Sequence, residues 1–218
     1  MPHYVISDGS GRTVGRAGTK AAAHRATRRV KCMGAQVQAH NTAIIRNRPS
    51  APMRHLVEKV GLIKPRMKVL DFGCGRGEDV DWLLKKGVRA KGWDPHEPFG
   101  WSRQPASKFQ VVTANYVVNT IPSRSERITA IKDAWGLVDK GGFLVVTSRP
   151  TAEISSQARA NGWSPMCDGF LSSESRRTFQ KGHDASELRS LLRTLPGATI
   201  EQTTDGAGFE HAVAQKAG

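Results

Sequence analysis

Val69-Leu70-Asp71-Phe72-Gly73-Cys74-Gly75-Arg76-Gly77 decides how the rest of the chain is read. An apolar run closes on an acid, three glycines follow at alternate positions, and a helical pattern begins. That order describes a buried strand, a tight turn where backbone meets a ligand, and a helix whose N-terminus faces the same ligand.

Downstream, strands and helices alternate. Residues 78–86 read as a helix with acids in the first turn and lysines in the last, as the helix dipole prefers. Residues 88–93 form the next strand and close on Asp94-Pro95. Residues 96–107 are polar and turn-rich. A buried strand and its outlet cover 109–119, a Ser123-capped helix runs to about 138, 139–142 turn, and 143–147 form a fourth strand. Helices follow over 152–160 and 186–195, with 163–182 irregular between them. Strands over 199–203 and 209–214 close the chain. This pattern predicts an α/β fold: a Rossmann-like, mostly parallel sheet with a C-terminal antiparallel hairpin and helices on both faces. The expected main domain is 68–218.

Upstream, residues 37–67 read as a basic connector with a lead-in helix over 53–60. Residues 1–36 read as a small basic ββα-like extension, with strands over 3–6 and 12–15 and a helix over 20–30. A third strand is expected over 36–40. The extension has too little apolar content to stand alone.

Charge is the strongest compositional signal. The 218 residues carry a net +14. Residues 1–67 hold 13 Lys/Arg against 2 Asp/Glu, a net +11, while 68–218 hold 20 against 17, a net +3. A nearly neutral core with a strongly basic lead-in favours a polyanionic partner, most simply nucleic acid, over a merely solvated arm. The candidate contacts are Arg25, Arg28, Arg29 and Lys31 in the extension and Arg46, Arg48 and Arg54 in the connector. His40 joins the connector group as a possible phosphate contact. No apolar run approaches ~18 residues, so a membrane span is not expected. Cys32, Cys74 and Cys167 are too few and too scattered for a disulfide framework or a metal site, which points to a reducing, cytoplasmic setting. The histidines have no metal-like spacing.

Three ligands compete for the glycine loop. A dinucleotide needs G-x-G-x-x-G, and the third glycine here is misplaced. A P-loop needs G-K-[S/T], which is missing. Asp71 discriminates between them: a carboxylate there repels a pyrophosphate but suits a cation. S-adenosylmethionine (SAM) has an ammonium, a sulfonium and no phosphate. Asp94, 23 residues further on at the next strand end, can take both ribose hydroxyls. The expected cofactor-binding set is Asp71, Gly73, Cys74, Gly75, Gly77, Trp93, Asp94 and Asn115.

Asp71 to Gly77 resembles motif I of class I SAM-dependent methyltransferases. More narrowly, the chain resembles methyltransferases associated with DNA phosphorothioation systems. The shared stretches are His40-Asn41-Thr42-Ala43-Ile44 with Arg46 and Arg54, then Asp71 to Asp79, Gly92-Trp93-Asp94-Pro95 and Tyr116-Val117-Val118-Asn119-Thr120-Ile121. Thr178-Phe179-Gln180-Lys181 and Glu187-Leu188-Arg189 complete them. The resemblance implies SAM as cofactor and DNA, before RNA, as partner. It also implies a further helix and strand after the ribose-binding acid, for which 96–107 leave no room. The sheet is therefore expected to be shortened there, with Trp93, Pro95 or Phe99 packing on the adenine.

The acceptor is expected over the outlets of the strands ending near Asn115 and Thr147. Asn115, Tyr116 and Asn119 are the first candidates to line it, Ser148 and Arg149 the second. Asn115-Tyr116-Val117-Val118 lacks the paired prolines of DNA amino-methyltransferases, and no cysteine nucleophile stands after a proline there. Two functions follow: a SAM-dependent methyltransferase acting on DNA or RNA, or a non-catalytic SAM- and nucleic-acid-binding accessory protein on the same fold.

Overall fold

The structure is a computed structural model that describes residues 4–7, 13–19, 37–201 and 208–218. Near the N-terminus, β1 (Tyr4–Ser7) and β2 (Thr13–Ala17) pair antiparallel. The helix expected over 20–30 lies outside the described residues, as do Arg25, Arg28, Arg29 and Lys31. The third strand expected over 36–40 does not form where it is described. Val37 and Gln38 are irregular, and a 3-10 turn covers Ala39–Thr42. Local side-chain bonds win there: Asn41 donates to Gln38 Oε1 at 2.8 Å and Thr42 to the Ala39 carbonyl at 2.6 Å.

The first helix of the main body, α1 (Ala51–Glu58), starts at an N-cap serine, Ser50, with proline in its first turn. Then come β3 (Lys68–Phe72), α2 (Glu78–Lys85), β4 (Arg89–Trp93) and β5 (Phe109–Asn115). Between β4 and β5 only a 3-10 turn, Glu97–Phe99, interrupts the loop, so the expected shortening is present. Next are α3 (Arg124–Gly136), β6 (Val138–Ser148) and α4 (Thr151–Ala160). The expected turn at 139–142 lies inside β6, where the pairing jumps from Phe109↔Val138 to Val111↔Phe143. A Cβ at Gly142 would meet the Gln110 carbonyl at 2.8 Å, which explains the glycine.

Residues 163–182 are not irregular. They form an antiparallel three-stranded sheet of β7 (Ser164–Met166), β8 (Gly169–Ser173) and β9 (Thr178–Gln180). The strands are short, and non-glycine residues in the left-handed region, Cys167 and Arg177, make the turns. The chain ends with α5 (Ala185–Leu192), β10 (Ala198–Glu201) and β11 (Glu210–Lys216).

The main sheet has the order β10-β11-β6-β5-β3-β4. Its β4, β3, β5 and β6 are parallel, while β11 runs antiparallel to both β6 and β10. Strand side chains alternate between faces, so each apolar strand feeds two cores. Leu70, Val112, Leu144 and Ala212 pack with α3 and α5 on one face. Val69, Val111, Val145 and Val213 pack with Met53 and Leu56 of α1 and Leu83 of α2 on the other. Each fully buried aliphatic side chain contributes about 1.5–3 kcal/mol.

The chain leaves β3 toward β4 and then crosses back to β5 on the other side. Such a reversal opens a crevice above the carboxyl ends of β3 and β5, where open α/β sheets bind ligands.

Candidate functional site

A cavity of about 1310 Å³ occupies that crevice. Its floor is the glycine loop. Gly73 (φ +74°), Gly75 (φ +57°) and Gly77 (φ +89°) all adopt the left-handed conformation that favours glycine. Gly73 and Gly75 line the cavity with Cys74 between them. Gly77 instead N-caps α2, and a Cβ on it would lie 2.6 Å from the Trp101 ring.

Asp71 and Asp94 stand at the ends of adjacent strands, 3% and 8% exposed, and both line the cavity. Asp71 Oδ1 accepts from Thr113 Oγ1 at 2.8 Å. Burial, reinforced by Asp79, pushes the Asp71 carboxyl well above its ordinary pKa. Asp94 accepts from the Gly75 amide at 2.9 Å and the His96 amide at 3.0 Å. It thus braces the glycine loop and closes an Asx turn, and each oxygen keeps a lone pair for a further donor.

Asn115, Tyr116 and Asn119 come together on the opposite wall, at the outlet of β5. Tyr116 holds φ +57°, uncommon for a side chain of that size. Thr147 Oγ1 donates to Asn115 Oδ1 at 3.2 Å, and Asn119 Nδ2 donates to Gln180 Oε1 at 3.0 Å. Asn115 Nδ2 and Asn119 Oδ1 are buried without a protein partner. Of the second candidates, Arg149 lines the cavity and pairs with Glu153. Ser148 is turned away and bonds His183 Nδ1 at 2.9 Å.

Residues 39–50 roof the cavity. Their ends are tied to elements far away in sequence. Gln38 N donates to the Arg177 carbonyl at 2.9 Å, and Asn41 Nδ2 to the Arg176 carbonyl at 2.9 Å. At the other end, the Ser50 amide and hydroxyl both donate to buried Asp79 at 2.6 Å. Arg46 pairs with Asp79 at 3.5 Å and Glu78 at 3.9 Å. Arg46, Arg48 and Arg54 all line the cavity, as does His40. The His40 ring stacks on His96 with centroids 3.7 Å apart and planes 3° from parallel. Phe99 meets His96 edge-on at 4.7 Å, and the Arg76 guanidinium lies over Phe99 at 5.2 Å.

Trp93 is not among the lining residues. Its ring packs on Phe72, centroids 4.5 Å apart, in the core beneath. Strand alternation explains this: Asp94 faces the cavity, and its neighbour faces away. Pro95 and Phe99, offered beside Trp93, do reach the cavity. Cys74 is a free, buried thiol that burial pushes to higher pKa. Cys167 is disulfide-bonded, so the cysteines do not support the reducing setting inferred from their spacing.

Asp79, Ser50, His96, Gln180 and Trp101 escaped the sequence reading. Asp79 carried one available signal, an acid in the first turn of the helix after the glycines. The donor set suits a cation. Asp71, Asp79 and Asp94 bring three buried acids together, while the two partly buried guanidiniums of the cavity, Arg46 and Arg149, are each paired with an acid. Among the described residues no group of three or more metal-ligand side chains gathers, and no helix is long and apolar enough to cross a membrane.

Residues 44–211 match the family described as a methyltransferase domain. The chain belongs to that family. Solved structures share its fold. An O-methyltransferase family protein from Burkholderia thailandensis superposes with a TM-score of 0.55 at 16% identity, over 76% of this chain and 55% of that one. The chain therefore spans little more than half that protein's length. A SAM-dependent methyltransferase from Methanosarcina mazei gives 0.53 at 17%, over 72% and 96%. The magnesium protoporphyrin IX methyltransferase of Synechocystis PCC 6803, solved with bound SAH, gives 0.51 at 20%, over 77% and 81%. The architecture is that of the class I Rossmann-like methyltransferases.

Proposed function

We propose that the chain is a SAM-dependent methyltransferase whose acceptor is nucleic acid, DNA before RNA. The observation that carries this reading is the make-up of the cavity. Its floor of glycines and buried acids suits a cationic nucleoside, its roof carries Arg46 and Arg48, and Arg54 of α1 lines it beside them. That roof continues the most basic third of the sequence. The resemblance of the quoted stretches to methyltransferases associated with DNA phosphorothioation systems supports DNA before RNA.

Bound SAM supplies a methyl group made electrophilic by its sulfonium. The chain's own part is to bind, orient and exclude water. Asp71 attracts the ammonium, and Asp94 has lone pairs for the ribose hydroxyls. Gly73 and Gly75 let the backbone approach. Pro95, His96 and Phe99 offer a surface for the adenine. Asn115, Tyr116 and Asn119 line the acceptor side. Burial raises the Tyr116 phenol's pKa, so it stays protonated and can donate a hydrogen bond.

Tritium transfer from labelled SAM, offered DNA, RNA and a small-molecule extract in parallel, tests the proposal. Label in DNA or RNA is expected. Label only in the small-molecule pool removes the nucleic-acid acceptor. Tight SAM binding with label in no pool leaves the non-catalytic accessory protein.

A further inference from the structure

The roof of the large cavity carries the two most exposed large apolar side chains among the described residues. Ile44 is 64% exposed and Ile45 82%, and both line the cavity. The segment that bears them is held on both sides. On one side Gln38 N donates to the Arg177 carbonyl and Asn41 Nδ2 to the Arg176 carbonyl, both at 2.9 Å. On the other, Arg46 N donates to Glu78 Oε1 at 3.2 Å, and Ser50 is bonded to Asp79. Between these ties Ala43 lies on the glycine loop: a Cβ on Gly75 would stand 3.3 Å from the Ala43 Cβ. The backbone is fixed from both ends and from below, and Ile44 and Ile45 stand out from it.

Leaving an isoleucine in water forgoes about 1.5–3 kcal/mol. One such side chain is ordinary on a protein surface, whereas two in succession at the mouth of a cavity mark a contact. Charge indicates the kind of partner. Asn47 and Arg48 are exposed directly after the pair, Arg54 is exposed on α1, and all three line the cavity. Arg46 is engaged with Asp79 and Glu78, so Arg48 and Arg54 are the side chains left for phosphates. Aliphatic side chains beside arginines suit a stack of bases: the apolar groups wedge between base steps while the cations take the backbone. The depth of the site points the same way. Asn115, Tyr116 and Asn119 line the wall inside the cavity, and Asn119 is only 2% exposed. A base still paired in a duplex cannot be brought against so recessed a wall; it must first leave the stack.

We propose, resting on the nucleic-acid reading above, that Ile44 and Ile45 form an apolar wedge that enters the base stack beside an unpaired nucleotide, with Arg48 and Arg54 on the flanking phosphates. The chain then selects DNA at positions where a base is already free of its partner, because extrusion costs least there.

Filter binding of the full chain to two DNA duplexes, alike except that one holds a single mismatch, tests the wedge. The mismatched duplex is expected to bind about tenfold tighter. Ile44→Ser with Ile45→Ser is expected to remove that preference and leave the salt dependence unchanged, because no phosphate contact is lost. Ile44→Leu with Ile45→Leu keeps an aliphatic wedge and should keep the preference. Arg48→Ala should instead weaken both duplexes alike and make the salt dependence shallower. Thermal unfolding checks that the variants, all at exposed positions, fold. Equal affinity for the two duplexes, or a preference that survives in the serine variant, overturns the wedge and leaves DNA binding standing. Binding to neither duplex overturns the nucleic-acid reading and the wedge together. Vesicles containing phosphatidylserine probe the other occupant that an apolar pair beside arginines suits. Vesicle binding that the serine variant abolishes, with no preference between the duplexes, assigns the pair to a lipid surface and overturns the wedge.

Discussion

A carboxyl as buried as Asp71 ionises only when something nearby repays its lost hydration. Burial comes first among the causes of its raised pKa, about 8, and Asp79 adds to it. Below that pKa the site binds its proton, and a cationic ligand must displace it. SAM affinity, measured by calorimetry, should therefore fall as pH drops through and below about 8, by up to ~10-fold per pH unit. Asp71→Asn should bind weakly at every pH and show a flat profile. Gly92 illustrates packing at the same scale. A Cβ there would sit 2.7 Å from Cys74 Sγ and 3.1 Å from both Trp101 and Val80. Gly92→Ala should lose about 1–3 kcal/mol in urea unfolding, and adding Cys74→Ala should recover part of it. Asp71 and Asp94 were legible in the sequence because a strand-end acid beside glycines is a local pattern. His40 on His96, or Trp101 over Gly77, is a meeting of distant segments, and no local pattern encodes it.

Among the elements, Ser50 joins two jobs. It caps α1 through Met53 N at 3.2 Å and holds buried Asp79 with its amide and hydroxyl. Ser50→Ala removes the cap and one bond to a buried carboxylate. A loss of roughly 1–3 kcal/mol is expected, together with weaker SAM binding, because the roof over 39–50 loses an anchor. Thermal unfolding and calorimetry on one sample read both effects. The elements that flank the glycine loop, β3, α2 and β4, followed from apolar runs and charge placement, and their ends shifted by at most one residue, whereas β6 begins five residues earlier than expected. The sheet of β7, β8 and β9 followed from neither signal. Its strands of three to five residues carry too few alternations to show a period, and Cys167 and Arg177 turn the chain where glycine would have announced it.

For the whole molecule, charge separates the proposed nucleic-acid partner from the cofactor. Removing residues 1–36 should weaken DNA binding and make the fall of log K with log salt shallower, because fewer phosphates are neutralised. SAM affinity should stay within about twofold, since every residue of the glycine loop, the acids and the roof remains. A filter-binding salt series on both forms checks this.

The shortened sheet also has a colloidal consequence. Where 96–107 add no strand, β4 pairs, among the described residues, with β3 alone. Its free edge presents backbone donors and acceptors to any passing strand. Arg89 and Lys91 are both exposed on this strand, and their like charges discourage two copies from zipping together. Neutralising both, as Arg89→Thr with Lys91→Thr, should raise light scattering on storage in a concentration-dependent way while leaving SAM affinity unchanged. Arginine and lysine on a strand of five residues then act as a guard against self-association, a task separate from the attraction of nucleic acid that the basic lead-in over 1–67 suggests.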